Sequence, residues 1–308
     1  MTYFKHDIYD WASWGKVYQD IAAWQRIIKD IFQKENLPFT QIEQLTAGTN
    51  AVFKVGRYVI KIFAPKESGV DSTREIETES FAIQHAKNLG ISVPNCISFN
   101  VLQDKYRFDY MIMEFIEGKE FAKLAPNLSD NEKFDFAKKL RNITDKMNIA
   151  CPSFNDIDAI HDIERSKRWN RYPKDFQIER INYLNTYNFK ENVFVHGDLC
   201  SDNILVSKEN EVIIIDFADA LIAPILYEHA LVASELFRFD QAYLQGYFGE
   251  YDDIALTDIC FHGLLIHDFG ADIIEQQIAL PSEIISLAIL KERMYTAISL
   301  GLKYKNSQ

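Results

Sequence analysis

The chain carries Val193-Phe194-Val195-His196-Gly197-Asp198-Leu199-Cys200-Ser201-Asp202-Asn203-Ile204-Leu205, then Glu211-Val212-Ile213-Ile214-Ile215-Asp216-Phe217. The runs ending at Val195 and Ile215 are short and apolar, rich in β-branched residues, which is the pattern of short buried strands. Polar residues gather where these strands leave the core. Asn203 follows Asp198 by five positions, and Asp216 follows Asn203 by thirteen. Side chains at the ends of two short strands can converge on one point. Two carboxylates and an amide placed this way suit phosphoryl transfer. One carboxylate orients an acceptor hydroxyl, while the amide and the second carboxylate hold magnesium against phosphates. Gly-Asp alone is a common turn. The two strands, the spacing and the second aspartate together carry the reading.

The stretch resembles the catalytic loop and metal-binding strand of protein-kinase-like enzymes, H-x-D-x-x-x-x-N followed by D-F-G. His-Gly-Asp in place of His-Arg-Asp is similar to the aminoglycoside phosphotransferase and choline kinase branch. The resemblance implies Asp198 as catalytic base, with Asn203 and Asp216 as magnesium ligands. Ala218 departs from the third position of D-F-G, a position that varies in this branch. His196 reads as a scaffold residue bonded to backbone. Cys200 reads as a loop position, with nothing nearby to activate its thiol.

Working upstream, residues 44–63 read as three strands in a meander, with Gly48 in the first turn and Gly56-Arg57 in a tight hairpin loop. In a kinase-like lobe the first turn lies over the nucleotide phosphates. Gly48, Thr49 and Asn50 are its candidates, with Thr49 and Asn50 at the tip. Lys61 lies mid-strand on the face of Val59 and Phe63. The resemblance makes it the lysine that grips the α- and β-phosphates, which requires a carboxylate from the next helix, expected over residues 71–88. Glu79 shares a helix face with Ile76, Ile83 and Ala86 and stands fifteen residues before Pro94; Glu75, one turn earlier, is the rival. The strand at 109–118 resembles the hinge, where adenine would meet backbone around Glu114 and Ile116. Before the meander, Trp11, Trp14, Val17, Ile21, Trp24, Ile28 and Ile31 recur every three or four residues. They predict an amphipathic helix, or a broken pair, with three tryptophans on one face packed on its own domain.

Downstream, Ser129-x-x-Glu132 is a capping box ahead of a helix. Residues 161–192 are polar and aromatic, and read equally as a cap over the acceptor site or as a solvated helical pair. Glu228, in a Tyr-Glu pair, reads as a backbone anchor. Three or four helices follow to about Leu302. His262 and His267, five apart, sit on poorly aligned faces and read as ordinary helix histidines rather than a metal site. Asp268 and Asp272 share a face; with Glu235 and Asp240 they could form an acidic wall for a cationic acceptor, or simply a solvated face.

The chain has 308 residues, 47% hydrophobic and 25% charged, with a formal net charge of −12, so it suits one large or two modest domains and lacks the basic surface that nucleic acid requires. Its four cysteines form no C-x-x-C pair, which suits reduced thiols and a cytoplasmic setting. No signal segment or membrane-length apolar run is evident.

The resemblance, from about Phe39 onward, implies a bilobal α+β fold. The expected N-lobe is residues 1–117, a helical extension to residue 38 and then an antiparallel sheet; residues 118–308 form a mainly helical C-lobe with the catalytic loop and acceptor site. MgATP or MgGTP would bind in the cleft, and a small-molecule hydroxyl would receive the γ-phosphoryl group. An aminoglycoside-like acceptor is expected, with choline, a sugar or a cyclitol as the alternative. A nucleotide-binding regulator without transfer activity is the reading from another class. A protein acceptor is disfavoured, because no Ala-Pro-Glu segment follows Asp216.

Overall fold

A computed structural model describes residues 2–46, 48–70, 72–190 and 192–301. Ala47 in the predicted meander, Asp71 at the predicted start of the glutamate-bearing helix and Leu302 at the predicted end of the last helix lie outside the described residues. The chain divides into two compact units, Met1–Lys87 with Ser92–Gly118, and Asn88–Ile91 with Lys119–Gln308.

The first unit runs α1 (Trp11–Gly15), α2 (Ile21–Lys34), β1 (Ile42–Gln44), β2 (Ala51–Val55), β3 (Tyr58–Ile62), α3 (Thr73–Asn88), β4 (Cys96–Gln103) and β5 (Arg107–Glu114). The strands form one antiparallel sheet in the order β1-β2-β3-β5-β4. Gly56, at φ 62°, supplies the positive dihedral of the two-residue β2–β3 loop, which sets Val55 opposite Tyr58.

The amphipathic stretch near the N-terminus is a broken pair. Asp20 starts α2 afresh, its side chain accepting the Ala22 N–H at 2.9 Å. Periodicity does not carry across that break, so the expected face of three tryptophans is not formed. Trp14 and Trp24 are buried, whereas Trp11 is 45% exposed. Ala23, Trp24, Ile27, Ile28, Ile31 and Phe32 of α2 are buried and join Phe53, Ile60, Phe108 and Tyr110 of the sheet in one core. Each large side chain sealed this way contributes about 1.5–3 kcal/mol.

The second unit begins its own structure with β6 (Gly118–Glu120), α4 (Phe121–Leu124), α5 (Asp130–Met147), α6 (Ile163–Ser166) and α7 (Lys174–Thr186). The Ser129–Glu132 capping box is formed at the start of α5. Then come β7 (Asn192–Val195), β8 (Ile204–Ser207), β9 (Val212–Ile214) and β10 (Leu221–Pro224). β7 pairs with β10, and β8 lies between β6 and β9. Helices α8 (Leu226–Leu231), α9 (Gln241–Phe248), α10 (Asp253–Ile266), α11 (Gly270–Gln277) and α12 (Leu287–Leu300) complete it, with a π turn at Val232–Leu236. The structure is thus an antiparallel sheet in the N-terminal region and a mainly helical C-terminal region. Among the described residues no helix is long and apolar enough to cross a membrane.

Candidate active site

In the first unit, β3 carries Lys61 opposite Met111 of β5. Its Nζ meets Glu79 Oε2 of α3 at 2.8 Å, and both side chains are buried. Burying a charge without a partner is costly, so each of the two depends on the other. Glu79 therefore stands where the helix-face reading put it, against Lys61; the rival Glu75 is only half-buried.

The first turn differs from its reading. Gly48 and Thr49 are exposed, but Asn50 turns inward, and its Oδ1 accepts the Ala64 N–H at 3.2 Å. Asn50 thus braces the strand ends and is not a tip residue; Ala64 leaves β3 with an unpaired N–H that a short amide can reach. The Thr49 carbonyl accepts the Trp14 indole N–H at 2.9 Å, so the N-terminal extension holds this turn from behind. At the end of β5, the Glu114 N–H donates to the Asn95 carbonyl and its carboxylate accepts the Asn95 amide at 2.7 Å. The Glu114 N–H and carboxylate are therefore engaged. The backbone N–H and carbonyl of Ile116 have no partner among the described residues.

In the second unit the His-Gly-Asp turn is held from below. Both carboxylate oxygens of Glu228, on α8, accept backbone N–H groups, from His196 at 3.3 Å and Gly197 at 3.2 Å. Burial pushes the Glu228 carboxyl up to about 7, against the pull of those two donors. The His196 ring spans the two strand ends. Nδ1 accepts the Asp198 N–H at 3.2 Å, which leaves Nε2–H to donate to the Ile215 carbonyl at 3.0 Å. Burial lowers its pKa to about 4, so the ring is a neutral strut. Gly197 has φ 85°, and a Cβ there would sit 2.0 Å from the Asp219 carbonyl oxygen. Only glycine fits both conditions.

Asn203 Nδ2 donates to the Asp198 carbonyl at 2.8 Å and to its Oδ2 at 2.9 Å. The amide nitrogen is thereby committed, and the amide oxygen is turned away from Asp198. Burial raises the Asp198 carboxyl to about 7, helped by the charges of Asp219 and Asp216 and opposed by hydrogen bonds from Asn203 and Cys200. Asp216 leaves β9 with φ 61°, a left-handed backbone that re-aims the chain. The Ile215 N–H donates to the Asn203 carbonyl at 3.0 Å, which ties the two loops together. Asp198, Asn203 and Asp216 are therefore gathered in one place. Cys200 is not activated; burial and the Asp198 charge push its thiol up to about 12. Asp219, whose charge and carbonyl both act on the turn, was missed in sequence, and Ala-Asp-Ala carries no signal that would have found it.

The acidic wall is not assembled as an open negative face, and Asp268 and Asp272 do not share a helix: the helix breaks after Ile266, so Asp268 lies in the turn between α10 and α11 and only Asp272 is on α11. Asp268 pairs with Arg168 at 3.1 Å, Asp272 with Arg171 at 2.5 Å and Asp240 with Lys133 at 2.7 Å. Glu235 sits half-buried in the π turn, and burial raises its carboxyl. The basic partners come from elements distant in sequence. His262 stacks on Tyr187 at 4.3 Å, and His267 is buried against Tyr227 at 4.0 Å. Among the described residues no group of three or more His, Cys, Asp or Glu side chains is arranged to hold a metal.

An antiparallel sheet with a buried lysine–glutamate pair, and a helical unit with a strand-loop-strand carrying Asp198, Asn203 and Asp216, define a kinase-like phosphotransferase. The chain belongs to the phosphotransferase enzyme family, whose sequence model matches residues 41–257. Curated proteins provide no match. Among solved structures, the GDP complex of wild-type aminoglycoside 2'-phosphotransferase-IIIa is 16% identical, covers 90% of this chain and 99% of that one, and gives a TM-score of 0.57. The streptomycin-ATP-APH(2")-IIa ternary complex is 15% identical, with 86% and 97% covered and a TM-score of 0.56. A choline/ethanolamine kinase family protein from Mesorhizobium loti is 14% identical, with 85% and 87% covered and a TM-score of 0.52. These likenesses are of fold.

Proposed function

We propose that this phosphotransferase moves the γ-phosphoryl group of a magnesium-bound nucleotide, ATP or GTP, to a hydroxyl of a small molecule. One observation carries the reading: Asp198 is held half-buried at the end of a glycine turn, with Asn203 locked to it and Asp216 acting on its charge. The solved structures of similar fold include complexes with ATP and GDP, which supports the nucleotide.

Lys61, oriented by Glu79, would grip the α- and β-phosphates. Backbone at Gly48 and Thr49 would cover them, and the unpartnered backbone of Ile116 would meet the base. Asp198 would accept the acceptor's hydroxyl proton as its oxygen bonds the γ-phosphorus and the β–γ bridging bond breaks, releasing the nucleoside diphosphate. A carboxyl raised to about 7 is a stronger base than an ordinary aspartate and is still ionised in about half of the molecules at neutral pH. The Asn203 amide oxygen and the Asp216 carboxylate are hard oxygen donors of the kind magnesium takes, with phosphate oxygens completing its shell. Bound there, magnesium would neutralise charge developing on the phosphates.

For the acceptor, the similar folds include complexes with streptomycin, gentamicin and hygromycin B. An aminoglycoside acceptor would make the protein an antibiotic-resistance enzyme. Such polycations need open carboxylates, and Asp240, Asp268 and Asp272 are each paired with a basic side chain. That pairing favours a metabolite hydroxyl over an aminoglycoside. A regulator without transfer activity would not need Lys61, Asp198, Asn203 and Asp216 together. The test is a mass-shift screen with MgATP and MgGTP against aminoglycosides, choline, sugars and cyclitols. A phosphate-sized gain on a metabolite supports the reading. Gain on aminoglycosides alone restores the resistance reading, and magnesium-dependent nucleotide binding without nucleotide turnover would favour the regulator.

A further inference from the structure

Among the described residues no carboxylate is bonded to Arg165, although the charges of Asp268 and Asp219 act on it. It stands on α6, within the polar and aromatic stretch that precedes the catalytic loop. Its Nη1 donates to the Tyr227 hydroxyl at 3.1 Å. Neighbouring Arg168 and Arg171 are both in ion pairs, with Asp268, Asp272 and Glu275. Among the described residues Arg165 has no such pair and no second hydrogen bond. It is half-buried, and a guanidinium does not shed its proton.

Tyr227 points the same way. Its ring is buried, and its hydroxyl accepts twice, from Arg165 and from the Asp268 N–H at 3.1 Å. Both lone pairs are then filled, so its own O–H is left to donate. Among the described residues no acceptor takes it. Guanidinium N–H groups and a phenolic O–H thus stand together as donors awaiting an oxygen.

This point lies beside the reacting loop. Asp219 acts electrostatically on Arg165, on Tyr227 and on Asp198, and its carbonyl closes on Gly197. Around the point stand three cations, Arg165, Arg168 and Arg171, and four carboxylates, Asp219, Asp268, Asp272 and Glu275, of which Asp268, Asp272 and Glu275 are bonded to Arg168 and Arg171. With Asp268, Asp272 and Glu275 taken up by Arg168 and Arg171, the Arg165 guanidinium still has N–H groups to offer in parallel to a carboxylate or phosphate.

We propose that Arg165, oriented by Tyr227, determines specificity by binding an anionic group, carboxylate or phosphate, on the hydroxylated acceptor. The inference rests on the small-molecule kinase reading and names its substrate class.

The test uses the full chain, magnesium and γ-labelled ATP. A deproteinised small-molecule cell extract is sorted by ion exchange into anionic, neutral and cationic fractions, with aminoglycosides added to the last. Label entering a compound of the anionic fraction is the expected result. Phosphatase treatment of that fraction beforehand abolishes labelling if the group read is a phosphate, and spares it if it is a carboxylate. Label confined to the neutral or cationic fraction overturns the inference while leaving the kinase reading intact. No label in any fraction overturns the kinase reading beneath it, and the inference with it. For the labelled acceptor, Arg165→Gln is expected to raise acceptor KM at least tenfold, well beyond any change in nucleotide KM, and Arg165→Lys to recover part of the loss. If Arg165→Gln does not fold, Arg165→Lys and Tyr227→Phe decide the matter by the same KM split. A purely structural role would lower the melting temperature and kcat without singling out acceptor KM, and that pattern refutes the proposal.

Discussion

Replacing Gly197 with alanine perturbs the site by one methyl group, and its effect can be worked from the backbone. The residue has φ 85°, outside the range L side chains ordinarily adopt. That conformation alone costs about 1–2 kcal/mol for a residue with a Cβ. The added Cβ would also lie 2.0 Å from the Asp219 carbonyl oxygen and 2.8 Å from its carbon, both backbone atoms that cannot rotate away. Restoring ordinary contact requires a shift of about 1 Å or more, shared between the 196–198 turn and the Asp219 segment. The turn is pinned by both oxygens of Glu228, so movement there breaks hydrogen bonds, while movement of Asp219 disturbs a charge that acts on Asp198. A displacement of about 1 Å at a reacting group can cost about 100-fold in rate. We expect Gly197→Ala to lower the melting temperature by several degrees and nucleotide turnover by about 100-fold. Scanning calorimetry and a coupled nucleoside-diphosphate assay read the two. Gly48→Ala is the stability control, since nothing lies within 4 Å of a Cβ there and its φ is not positive. A Gly197→Ala protein with wild-type melting temperature and turnover would refute the account of this turn.

Asp198→Asn should leave magnesium–nucleotide binding within a few-fold by calorimetry and lower kcat by about 100- to 10,000-fold; unchanged turnover removes the base assignment. Glu79→Ala removes the carboxylate 2.8 Å from the buried Lys61 ammonium and should destabilise the protein by about 3–5 kcal/mol in urea denaturation, whereas Glu75→Ala should cost far less. For pH, His196, His229 and His267 are held neutral by burial, with pKa values lowered to about 4, about 3 and about 3. The unfolded chain binds protons first on acidification, so this stability is intact above about pH 6.5 and is lost as pH falls toward 4, at up to about 1.4 kcal/mol per pH unit for each ring. Glu228 has the opposite sign: its folded pKa is raised to about 7, so its cost is present above pH 7 and is relieved as pH falls toward 4.5. Glu228→Gln should therefore steepen the fall in urea midpoint between pH 6.5 and 4.5 by about one proton's worth. An unaltered slope would mean that Glu228 is ionised throughout that range.

The amino-acid sequence alone determined the features set by short-range periodicity. An apolar strand running into His196-Gly197-Asp198, with Asn203 on the loop and Asp216 closing the next strand, is a local arrangement of two strand ends. Alternation along a strand places Lys61, and helical spacing places Glu79 with Ile76, Ile83 and Ala86, because both repeats follow from backbone geometry. Ser129 and Glu132 form their box for the same reason, three residues apart at one helix start. The sequence also showed that the N-terminal stretch is amphipathic, but not where it breaks or which tryptophan it leaves outside.

What the tertiary structure decided are contacts between residues far apart in the chain. The Trp14 indole reaches Thr49, Asn50 turns in to Ala64, and Arg168 and Arg171 come from a hundred residues away to meet Asp268 and Asp272. A pair of aspartates four residues apart reads the same whether it faces solvent, substrate or arginine; only packing chooses the counter-charge. The same holds for Asp219 and Arg165. Neither belongs to a periodic pattern, and each gains its meaning from a neighbour that the fold, not the spacing, brings beside it.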